Sequence, residues 1–95
     1  MQALRLNLSD SEIISELGDL FLCIDQLPQA EALFIRGVDL GLDGFNWKLG
    51  NVLELQNEFD KALDAFQKGK NGPNSSWSDK CKDSIEKLKA KIGRI

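Results

Sequence analysis

The sequence predicts an all-α fold built as a stack of antiparallel helix hairpins. Three observations predict it: an internal repeat, helix-spaced apolar residues within each copy, and small residues recurring in register. A repeat period in the range of about 20–50 residues decides an architecture before any local propensity does. Sliding SELGDLFLCIDQLPQAEALFIRG by 32 residues onto WKLGNVLELQNEFDKALDAFQKG superposes Leu17-Gly18 on Leu49-Gly50 and Phe21 on Leu53. The same shift brings Leu27 onto Phe59, Ala30 onto Ala62, Phe34 onto Phe66 and Gly37 onto Gly69. Small residues fall on small ones and large apolar residues on large ones.

The elements follow in order. In the first helix Ile14, Leu17, Phe21 and Ile24 recur at three- and four-residue steps, and Ser9 with Glu12 is expected to form its capping box. Asp25 breaks the pattern, as Asn57 does in the second copy, and both residue types tolerate a left-handed turn. Pro28 then suits the first turn of the next helix, where its missing N–H costs little. That helix carries Ala30, Leu33, Phe34, Gly37 and Leu40. A link this short makes the two helices antiparallel.

The glycines at mid-helix are the packing signal. Gly18 and Gly50 each cost about 1 kcal/mol relative to alanine, so their recurrence marks a close helix approach. Ala30 and Ala62 are the expected facing residues. After KNGPNSS a last helix is expected from about Trp77 to Ile92, capped by Ser76 and Asp79. Its apolar stripe is Trp77, Cys81, Ile85, Leu88 and Ile92, opposite a lysine-rich face.

Length and composition bound what such a chain does. With 95 residues there is room for one domain. Apolar residues at 42%, charged ones at 28% and two prolines describe an ordinary globular chain. No apolar run approaches the ~18 residues that a bilayer crossing needs, and the start turns polar early, so a cytoplasmic location is expected. The net charge of −3 is uneven. Residues 1–74 hold six Lys/Arg against twelve Asp/Glu, and residues 75–95 hold six against three. Those last lysines alternate with Asp79, Asp83 and Glu86 as on a solvated helix face, so neither nucleic acid nor a membrane is expected as a partner.

Taken together these residues resemble tetratricopeptide repeats (TPR). That pattern runs aromatic, Leu-Gly, Tyr, then Ala, Phe and Ala in the second helix, closing with Pro. The second copy reads Trp47 (one place late), Leu49-Gly50, Leu53, Phe59, Ala62, Phe66, Gly69 and Pro73, and the first reads Ile14, Leu17-Gly18, Phe21, Leu27, Ala30, Phe34 and Gly37. The period of 32 falls short of the family's usual length of about 34. Glycine replaces the last alanine, and no proline closes the first copy. The resemblance implies a right-handed α-solenoid, with the end of a preceding repeat over 1–10, repeats over 11–42 and 43–74, and a solubilising cap over 75–95. Ala3, Leu4 and Leu6 then stand at closing positions of an upstream repeat, which makes the chain an expected piece of a longer array.

Catalytic parts are thin. Histidine is absent, and Cys23 and Cys81 lack CxxC spacing, so zinc sites and His-based nucleophilic pairs lose their usual residues. Both cysteines are expected to pack as small hydrophobes. Asp60/Asp64 and Asp79/Asp83 share helix faces as solvated carboxylates commonly do. The GLDG and GKNG segments lack a phosphate-loop ending. No enzyme activity, metal or cofactor is expected.

The resemblance implies instead a protein-binding module, with first helices lining a concave groove. On this chain that selects Ser15, Asp19, Leu22 and Cys23 from the first unit and Trp47, Lys48, Asn51, Glu54 and Leu55 from the second. Trp47 is the expected anchor, since an exposed aromatic supplies a large apolar contact; a buried inter-repeat role is its rival. Lys48 and Asn51 echo the carboxylate clamp of co-chaperone members, but Asp19 at the matching place in the other unit opposes it. The expected partner is a protein or peptide. The alternative is an assembly, dimerisation or spacer element of a larger enzyme or scaffold, with Ile13 and Ile14 exposed on an open N-terminal face that pairs as a homodimer.

Overall fold

A computed structural model describes residues 10–42 and 44–93. Five helices occupy them: α1 (Ser11–Cys23), α2 (Leu27–Asp39), α3 (Phe45–Leu55), α4 (Phe59–Lys70) and α5 (Ser75–Ile92). Among the described residues there is no strand. Each helix packs against its successor, and α3 also touches α5.

Two of the caps differ from expectation. Asp10, not Ser9, caps α1: its carboxylate accepts from the backbone N–H groups of Glu12 at 2.9 Å and Ile13 at 3.4 Å. Ser9 and the upstream positions Ala3, Leu4 and Leu6 lie outside the described residues. At α5 the cap is Asn74, whose amide oxygen accepts from Ser76 at 3.0 Å and Trp77 at 3.4 Å. Ser76 is thus already helical, and α5 begins two residues before the expected Trp77. The physical reason is competition between neighbours: Asp10 and Asn74 hold the extended backbone from which an Asx oxygen reaches the N2 and N3 donors.

The turns form as the residue types require. Asp25 and Asn57 take φ of 60° and 62°. Around Asp25 the N–H of Gln26 donates to the Phe21 carbonyl at 2.7 Å and that of Asp25 to Leu22 at 3.1 Å. Around Asn57 the N–H of Glu58 donates to Leu53 and that of Asn57 to Glu54, both at 2.9 Å. These are paired 6→1 and 5→2 bonds, which satisfy the last carbonyls of α1 and α3 and reverse the chain. Gly41, at φ 73°, closes α2 in the same way through Leu42 and Gly37.

The glycine notches are occupied, though not by alanine. A methyl at Gly18 would overlap the Phe34 ring, and one at Gly50 would overlap Phe66. Gly18 and Phe34 stand symmetrically about Gln26, and Gly50 and Phe66 about Glu58, so each pair of helices runs antiparallel. Ala30 and Ala62 are fully buried but are not the groups that fill the notches. A phenyl ring reaches across the helix gap to a bare backbone, which an alanine methyl is too short to do. The device recurs between hairpins, with Phe45 lying on Gly37 and Cys81 on Gly69.

The result is two apolar clusters. Ile14, Ala30, Phe34, Phe45 and Val52 make one; Leu53, Ala62, Ala65, Phe66, Cys81, Ile85 and Leu88 make the other. Leu49 packs against both and joins them. The outer side of α1 differs from expectation: Ile14 is fully buried, while Leu20 and Ile24 are each 55% exposed. Ile14 belongs to the cluster around Phe34, and the exposed large apolar side chains of α1 are Leu20 and Ile24.

Candidate functional site

The residues expected to line a groove sit on α1 and α3, and several reach across to a neighbouring helix. Lys48 of α3 pairs with Asp19 of α1 at 3.6 Å and lies 5.8 Å from the centre of the Phe34 ring. Glu54 pairs with Lys91 of α5 at 3.5 Å, and that lysine also covers the Phe59 ring at 5.3 Å. Such partly exposed pairs contribute about 0–1 kcal/mol each, so their value lies in registering the helices more than in stability.

Trp47 is not a free anchor. Its indole N–H donates to Ser84 Oγ at 3.1 Å, and its ring meets that of Trp77 at 5.8 Å and a tilt of 42°. The Lys80 ammonium lies 5.0 Å from one indole and 4.8 Å from the other. The half-buried tryptophan therefore fastens α3 to α5, as a large amphipathic ring does when its polar edge finds a partner. Leu22 likewise packs against the first apolar cluster.

The other expected residues remain accessible. Asp19 is exposed, Asn51 is half-buried, and Leu55 at 62% exposure is the most exposed large apolar side chain described. Ser15 lines a shallow hollow of about 260 Å³ with Glu12, Glu16, Phe45, Lys48 and Trp77. Cys23, the last residue of α1, is exposed, contrary to the packing expected of it. Cys81 does pack as expected: it is fully buried, and desolvation raises its thiol above the ordinary value, which disfavours the thiolate.

A second hollow, lined by none of those residues, lies where sequence reasoning did not look. It holds about 500 Å³ between α2 and α4 with α3 as its floor. Val38, Leu49, Leu53 and Ala65 give it an apolar lining; Ile35, 39% exposed, stands at its lip with Glu31, Asp60 and Asp64. At one end is Asn46, whose buried Oδ1 has no hydrogen-bond partner. An orphaned buried acceptor costs about 1–3 kcal/mol. A signal for it was present in the sequence: Asn46, Leu49 and Leu53 share one helical stripe, and an amide among apolar residues is the anomaly.

Among the described residues no three His, Cys, Asp or Glu side chains converge on a metal-sized site. No described helix is long and apolar enough to cross a membrane. Comparison with family models, with curated proteins and with solved structures finds no match to this chain.

Proposed function

We propose that this chain is a protein-binding helical-repeat module of the tetratricopeptide kind, a right-handed stack whose α1, α3 and α5 together offer one face to a segment of a partner protein. The observation that carries it is the pair of bridges Asp19–Lys48 and Glu54–Lys91. Side chains of three helices that are not consecutive meet directly, so they make a continuous surface with no loop between them. Rigid helices hold their contact groups before the ligand arrives, which lowers the ordering cost of binding.

Within that face the contact residues are Asp19, Asn51 and Leu55, with Lys48 shared between partner and fold. Trp47 and Glu54 act one step back, holding α5 beside α3. A carboxylate-terminated ligand suits the face poorly, since Asp19 already engages Lys48. The module performs no reaction of its own, and a cytoplasmic location suits its free thiols.

The test is a selection of displayed random dodecapeptides on the whole immobilised chain, followed by titration of the enriched peptides against Leu55→Lys and Asn51→Arg. Both positions are accessible, so both variants should fold. A loss of tenfold or more in affinity is expected; unchanged affinity in both variants would overturn the assignment of this face. The assembly alternative predicts another outcome, a molar mass in light scattering that grows with concentration and falls back in Leu20→Asp, on the exposed stripe of α1.

A further inference from the structure

The geometry points to a second docking site, independent of the first: the hollow between α2 and α4 takes an amphipathic helix of a partner protein, with aliphatic residues on one face and arginine or lysine beside them. About 500 Å³ is within the range of roughly 300–1,000 Å³ typical of ligand-holding pockets. Gly37 meets Phe45 and Glu31 meets Gln56, so α2, like α4, runs antiparallel to α3, and the hollow is a trough between two parallel helices. A helix laid in such a trough buries aliphatic side chains at three- and four-residue spacing. Here they would meet Val38, Leu49, Leu53 and Ala65, with Ile35 closing over them from the lip.

Charge selects the flanks of that helix. Both lysines at the lip are already engaged, Lys61 by Glu58 at 3.6 Å and Lys68 by Asp64 at 3.1 Å. Glu31 accepts from the Gln56 amide at 2.6 Å, which fixes the side chain and leaves its charge in place. Asp60 has no partner among the described residues. The lip thus offers uncompensated negative charge and no free cation, in a body where residues 1–74 carry twelve acidic against six basic residues. A basic flank is steered in and an acidic one repelled.

The experiment uses two synthetic helical peptides with identical leucine positions, one carrying arginine and the other glutamate at every charged position. Each is titrated into the isotopically labelled whole chain and followed by amide chemical shifts. The arginine peptide is expected to shift Ile35, Asn46 and Ala65, and the glutamate peptide to leave them in place. Ile35→Glu and Asp60→Lys, both at exposed positions, should each weaken binding at least tenfold. Glu16→Lys, the same charge change on α1, should stay within twofold. The inference is overturned if neither peptide shifts the trough, if the two bind alike, or if Glu16→Lys weakens binding as much as Asp60→Lys. Shifts confined to α1, α3 and α5 would overturn it while leaving the first face intact, and shifts that track protein concentration without peptide would assign the trough to a second copy of the chain.

Discussion

The two hairpins are built alike and buried differently. In both, a glycine in the first helix receives a phenyl ring from the second, Gly18 with Phe34 and Gly50 with Phe66, across a turn whose left-handed residue is Asp25 or Asn57. Positions related by the repeat then part company. Leu20 is 55% exposed, but its counterpart Val52 is fully buried. Ile13 is half-buried, whereas its counterpart Phe45 is 2% exposed and seated on Gly37. The inner contacts of a hairpin come from its own sequence. Its outer contacts come from whatever lies next to it, and α3 packs against α2 and also touches α5.

The largest effects test the shared part. Phe34→Ala and Phe66→Ala each remove a fully buried ring and should each cost about 3–5 kcal/mol in urea unfolding. A cost below about 1 kcal/mol at Phe34 would mean that the first hairpin is not packed like the second. Val52→Ala against Leu20→Ala sharpens the difference. The first should cost about 1.5–3 kcal/mol. The second should stay within about 0.5 kcal/mol, because the side chain it shortens is largely in water.

Smaller effects follow. Gly18→Ala and Gly50→Ala gain up to about 1 kcal/mol of helix propensity but force a methyl into a phenyl ring, an overlap that costs about 1–3 kcal/mol. Thermal melting should show both variants destabilised, and a rise in melting temperature for either would show its notch to be loose. Trp47→Phe deletes the bond to Ser84 and should cost about 1 kcal/mol, whereas Ser15→Ala, at the position the repeat pairs with Trp47, should cost almost nothing.

The smallest effect is one of pH. Burial raises the Cys81 thiol above its ordinary value, so the folded chain keeps its proton longer than the unfolded chain does. Its contribution is whole below the unfolded value and declines as pH rises from there toward the folded one. Unfolding measured across pH 8 to pH 10 should therefore show a loss of stability that is smaller in Cys81→Ala, at a lower overall stability.

Much of the fold was legible in the sequence. The spacing of Leu17-Gly18 and Leu49-Gly50, and the Asx residues at the turns, carry the helices and their reversals, because both signals act within a few residues of chain. The caps were misread by one or two places, since Ser9, Asp10, Asn74 and Ser76 all have capping side chains and local pattern does not choose among them. The identity of the notch-filling group was misread too. Alanine and phenylalanine both recur in register, and only the distance across the helix gap selects the ring.

The candidate site was less legible. Ser15, Asp19, Leu22, Trp47, Lys48, Asn51 and Glu54 all lie on α1 or α3, but which of them stay free depends on contacts with other helices. Trp47 shows this plainly: its exposure is settled by Trp77 and Ser84, 30 and 37 residues away along the chain. The trough between α2 and α4 has no continuous stretch of sequence behind it at all. The sequence alone determined the repeat, the helices and the turns, because propensity, periodicity and turn chemistry are short-range properties. Tertiary structure alone decided which tryptophan is a fastener, which leucine meets water and where the hollows lie, because burial is a property of neighbours distant along the chain.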